Sequence, residues 1–137
     1  MNSRTTKTLI PLDITRQVNF GLEFLEKLPA ESSRCGHFLR QILPFAFRSY
    51  RQHLGQETIL LNDTVGALAL LEPKLFQTEL VPCDVETEGQ LTRGMLVSDR
   101  RNLPEGRPNV NVVTGVEADQ VRQCIVDQLI VSGNASA

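Results

Sequence analysis

Residues 58–73 read TILLNDTVGALALLEP. A β-prone run at 58–61 meets two polar residues, Asn62 and Asp63, and then Val65, Leu68, Ala69 and Leu71 recur at helical spacing up to Pro73. The stretch therefore predicts a strand-to-helix junction with one carboxylate, Asp63, at the mouth of the helix. Asp at such a place satisfies free N–H groups as a cap, or it serves as a ligand. These residues alone leave both readings open.

Upstream, residues 33–54 give the clearest helical period in the chain, with Cys35, Phe38, Leu39, Ile42, Leu43, Ala46 and Tyr50 on one face and Gly55 as the C-cap. Pro44 lies inside this run, so a kink or two abutting helices are expected there. Before it, residues 20–28 predict a short amphipathic helix with Leu22, Leu25 and Leu28 spaced by three, ending at Pro29. Residues 8–14, TLIPLDI, read as a short strand whose Pro11 belongs at an edge, bulge or strand end.

Downstream, Val81, Cys83 and Val85 alternate with Pro82, Asp84 and Glu86, the period of a half-buried strand over 81–88. Gly89 and Gln90 suit a tight reversal into a returning strand at 94–98. A polar loop covers 99–107, a short strand centres on Val110 and Val112, and a last helix spans about 118–131 with Val121, Cys124, Ile125 and Leu129 inward. Such alternation predicts an α/β fold with a mixed sheet flanked by helices and a late antiparallel strand pair. Residues 1–131 form one domain in this reading, and 132–137, SGNASA, form a disordered tail.

Composition narrows the function classes. A chain of 137 residues with 41% hydrophobic residues is one domain's worth of core. It has no apolar run of about 18 residues, so a membrane span is not expected. A net charge of −2 with scattered Lys and Arg provides no basic stripe for nucleic acid. The opening MNSRTTKTLI lacks an apolar signal region, which makes the cytoplasm the expected compartment. Cys35, Cys83 and Cys124 are odd in number and far apart, and they read as reduced structural thiols.

Three pieces, TLIPLDITRQV at 8–18, LNDTVGALALLEPKLF at 61–76 and DVETEGQLTRGMLVSDR at 84–100, together resemble in order and spacing the C-terminal part of the inosine-uridine preferring nucleoside hydrolases. The resemblance spans roughly residues 8–131, and VETEGQLTRGM is its most specific piece. It implies hydrolysis of a ribonucleoside to ribose and free base at a calcium site, with Asp63 as one metal ligand. Asn62 stands where many members carry a proton-donating His, and an amide can hydrogen-bond a base but cannot act as a general acid near neutral pH. By the same resemblance Phe47 and Tyr50 would line the base pocket, although apolar residues at helical spacing also read as core.

The resemblance also exposes a departure. The family's N-terminal D-x-D-x-x-x-D-D motif, which supplies most of its metal ligands and its general base, occurs nowhere in this chain. Calcium needs roughly six or more oxygens, so one carboxylate does not build its site. No catalytic residue is therefore assigned. The expectation is a chain without the N-terminal half of the domain: a truncated product, half of a split enzyme joined by a separate N-terminal half, or a non-catalytic binding or assembly module, with homo-oligomerisation also possible as a partner arrangement.

Overall fold

In the computed structural model, which describes residues 5–135, β7 (Val110–Val116) is the centre of a three-stranded sheet in the order β1-β7-β4. β1 (Thr8–Leu9) pairs with it in parallel and β4 (Phe76–Val81) antiparallel, with a register shift between Gln77 and Thr78. Val110, Val112 and Val113 are all buried, as expected of a central strand covered on both faces. Two shorter antiparallel pairs complete the strands: β2 (Asn19–Phe20) with β3 (Ile59–Leu60), and β5 (Cys83–Val85) with β6 (Leu96–Ser98). The expected α/β class, mixed sheet and late antiparallel pair are all present.

Helices α2 (Arg34–Leu54), α3 (Asn62–Leu71) and α4 (Ala118–Ala135) pack over a core that includes Val18, Phe20, Phe24, Ile59, Val65, Val113, Val121 and Ile125. α2 starts at Ser33, whose hydroxyl accepts the Gly36 N–H at 3.0 Å, and ends at Gly55 in the left-handed region with φ 63°. Gly36 leaves room for the chain that precedes it, because a Cβ there would stand 2.2 Å from the Ala30 carbonyl oxygen. The same helix end meets α4, where a Cβ on Gly133 would lie 2.5 Å from Pro29 Cβ.

Several local expectations are corrected. The strand expected over 8–14 is only Thr8–Leu9, and Leu12–Thr15 forms a one-turn helix, α1. Pro11 causes the change: its fixed φ of −74° suits the residue before a helix, and its carbonyl accepts the N–H of Ile14 and Thr15. The helix expected over 20–28 is a 3₁₀ segment, Leu22–Lys27, entered from β2. Leucines spaced by three match three residues per turn. Around Pro44, α2 is one continuous helix, not two abutting ones.

Residues 76–81 are a strand that alternation did not mark, because four consecutive positions, 77–80, are exposed. Pro82, lacking an N–H, then divides β4 from β5. The reversal between β5 and β6 is longer than a two-residue turn: the Glu86 carbonyl accepts the Gly94 N–H at 2.7 Å, with Gly94 at φ 86°. Finally α4 continues to Ala135, four residues beyond its expected end, so 132–135 are helical where a disordered tail is expected. Residues 136–137 lie outside the described ones.

Candidate functional site

β1 and β3 both end at one cleft. Ile10, Leu12 and Thr15 line it from the turn after β1, and Asn62, Asp63 and Gly66 line it from the start of α3, enclosing a cavity of about 380 Å³. Open α/β sheets bind ligands at the carboxyl ends of their strands, which is where this cleft lies.

The role of Asp63 can now be separated from capping. α3 begins at Asn62, its N-cap is Leu61, and no side chain caps it; Asp63 sits in the first turn. No hydrogen bond or ion pair joins Asp63 to another described residue, and its side chain is exposed. Of the two readings the sequence left open, the cap is not the one the structure adopts, because the helix starts at Asn62, two residues before the Thr64 start that an Asp63 cap would give. What remains is a solvated carboxylate aimed at a cleft, close to the positive end of a helix.

Thr15 is the nearest polar companion from the other wall, a residue that sequence reasoning did not single out although it ends the PLDIT piece. It is 5% exposed, and its hydroxyl donates to the Leu12 carbonyl at 3.2 Å. The cleft therefore offers one carboxylate, one amide and one hydroxyl already committed as a donor. Calcium takes six to eight oxygens and most structural cation sites use several carboxylates. Among the described residues no group of three or more His, Cys, Asp or Glu stands together. The described residues do not fit a complete calcium site.

Phe47 and Tyr50 lie elsewhere. Phe47 is 6% exposed within the main core, and Tyr50 is half-buried against that core. Neither lines the cleft that holds Asn62 and Asp63.

The conspicuous charge cluster lies outside the lining of this cleft and is structural. Arg101 donates to Asp99 at 2.9 and 2.7 Å and to Glu105 at 3.1 Å, while the amides of Arg101 and Glu105 also bond Asp99. The Arg101 side chain, helped by those amides, holds the Asp99 carboxyl well below the usual carboxylate range. Glu86 is likewise lowered by the N–H groups of Glu88 and Gly89, which fold the 86–94 reversal. Arg93 forms an ion pair with neither Asp84 nor Glu86.

An inosine-uridine preferring nucleoside hydrolase family model matches residues 1–123. The chain belongs to that family. It is 24% identical over 122 residues to the inosine-uridine preferring nucleoside hydrolase of Crithidia fasciculata, covering 89% of this chain and 39% of the relative. Against the non-specific ribonucleoside hydrolase RihC of Salmonella typhimurium the identity is 30% over 116 residues, covering 85% and 36% respectively. The chain thus spans little more than a third of these curated relatives.

Solved structures agree on the fold. A purine-preferring ribonucleoside hydrolase from Gardnerella vaginalis superposes with a TM-score of 0.83 at 20% identity, over 96% of this chain and 42% of the other. A plant nucleoside hydrolase gives 0.79 at 22% identity, over 92% and 42%. Among the described residues no helix is long and apolar enough to cross a membrane.

Proposed function

We propose that this chain contributes one side of a site for N-glycosidic hydrolysis of ribonucleosides, with Asp63 as a calcium ligand and Asn62 beside the nucleobase. A single observation carries this reading: in a chain of this family, Asp63 is free of any capping role and faces a cleft at the carboxyl ends of β1 and β3. An exposed carboxylate with two free oxygens suits a hard cation, and the Asn62 amide suits a base edge.

The proposal includes inactivity of the chain alone. Hydrolysis needs a base to activate water and charge stabilisation for the ribosyl group, and one carboxylate with an amide supplies neither in full. Calcium titration calorimetry and an inosine or uridine hydrolysis assay on the purified chain test it. Neither tight calcium uptake nor turnover is expected, and either one would overturn the proposal.

A second reading, a non-catalytic binding or assembly module on the same fold, is favoured by the exposed apolar side chains of α2 and α3. It predicts no effect of Asp63→Asn on any ligand.

A further inference from the structure

The reversal between β5 and β6 is firmly built, yet it holds an apolar side chain in solvent. The Glu86 carboxylate accepts the N–H groups of Glu88 and Gly89 at 2.7 and 3.0 Å, and the Glu86 N–H donates to the Met95 carbonyl at 2.9 Å. The Met95 N–H closes a further turn on the Thr92 carbonyl at 2.9 Å. Gly89 leaves room for Thr92, whose Oγ1 would stand 2.2 Å from a Cβ there. Within this frame Leu91 is 99% exposed. Met95 and Val97, two residues apart on the returning chain and so on one face, add exposed apolar surface behind it. A single exposed leucine is ordinary, but one already fixed by its own loop loses little further freedom when it is covered.

Opposite charges flank Leu91 in the chain: Glu88 three residues before it and Arg93 two residues after. Both are exposed, and neither side chain makes an ion pair or hydrogen bond with another described residue. Glu86 differs, because its carboxylate is taken up by the amides of the loop. A surface that carries both signs around an apolar centre is complementary to itself. Across a two-fold axis each copy's acid can meet the other's base. A purely acidic or purely basic partner would leave one of the two unmatched and oppose the other.

We propose that the 86–94 reversal is a self-docking surface. Two copies of this chain pair through it about a two-fold axis, with Leu91 at the centre and Glu88 of each copy set against Arg93 of the other. One turn and one short strand lie at the small end of protein interfaces, so the pair is weak and its population follows concentration. None of these residues lines the cleft of Asn62 and Asp63, so the inference stands apart from the reading of that cleft.

Sedimentation equilibrium of the full chain should show a reversible dimer. Leu91→Asp should weaken it roughly ten-fold or more, as loss of an interface anchor does. Glu88→Arg leaves two cations on each tip and Arg93→Glu leaves two anions, so each variant alone should also lose roughly ten-fold or more. Mixed together, these two charge variants should pair with each other. The double variant Glu88→Arg/Arg93→Glu should regain self-association, because opposite signs again face each other. Circular-dichroism melts of all variants should match the parent, since the three side chains are exposed. Three results overturn the proposal: a chain that stays monomeric up to about 1 mM, a dimer that none of the substitutions weakens, or charge variants that fail to pair on mixing while the parent dimerises.

Discussion

The Asn109 side chain behaves as an extra strand residue for Cys83. Its Oδ1 accepts the Cys83 N–H at 2.7 Å, and its Nδ2 donates to the Cys83 carbonyl at 2.8 Å. The amide thereby closes the start of β5 onto the approach to β7, just after Pro82 has interrupted the ladder. Each such bond contributes on the order of 1 kcal/mol net. Asn109→Ala should therefore cost about 1–3 kcal/mol and speed amide exchange at Cys83. Asn109→Asp should be worse than Ala at neutral pH, since a carboxylate keeps the acceptor but faces the Cys83 carbonyl. Hydrogen exchange with a denaturant melt checks both.

Asp63→Ala separates ligand from cap. A true cap lost to Ala costs about 0.5–2 kcal/mol. Asp63 instead sits in the first turn without a capping bond, and only its interaction with the helix dipole, about 0.3–1 kcal/mol, is at stake. The thermal midpoint should barely move. A drop of the size expected for a cap would contradict the assignment of Leu61 as the N-cap.

Two glycines should respond oppositely to Ala. At Gly36 the new methyl meets backbone, the Ala30 and Pro29 carbonyl oxygens at 2.2 and 2.6 Å, so destabilisation of about 1–3 kcal/mol is expected. At Gly66, inside α3, the nearest atom is Ile10 Cδ1 at 4.0 Å. There the gain in helix propensity, up to about 1 kcal/mol, should prevail. Paired urea melts give the sign of each.

Asp99 sets an acid response for the loop it organises. Its carboxyl lies below the ordinary value of 3.8 in the folded chain, so its contribution is complete above that value and disappears as pH falls through the lower folded pKa. The amide resonances of Arg101 and Glu105, both bonded to Asp99, should therefore hold steady through pH 3.8 and shift only in stronger acid. Asp99→Asn should abolish that transition.

Thiol chemistry gives a further check on burial. Burial raises the Cys83 pKa, whereas Cys35 and Cys124 are half-exposed, and all three are free. An alkylating reagent at mildly alkaline pH should label Cys35 and Cys124 first and Cys83 slowly. Peptide mass spectrometry over time shows the order.

Much of this fold is legible from periodicity. α2, α3 and α4 announce themselves through apolar residues at helical spacing, with Ser33 and Gly55 marking the ends of α2. β4 does not, because its inner positions carry exposed Gln77, Thr78 and Glu79 and it is held by pairing with β7. The helix at Leu12–Thr15 escapes for a related reason: a β-prone composition yields to the local bonds that Pro11 accepts.

By itself the sequence determines the family, the α/β class and the presence of one carboxylate at a strand-to-helix junction, since spacing and residue type are local properties. Only the tertiary structure decides what that carboxylate does. Whether Asp63 caps depends on which residue closes the first turn, and which groups share its cleft depends on β1 and β3 ending at one cleft, with Leu9 and Leu60 51 residues and several elements apart in the chain. Phe47 shows the converse: its spacing allowed a pocket or a core, and long-range packing buries it in the main hydrophobic cluster. Long-range contacts make those choices, and no local pattern encodes them.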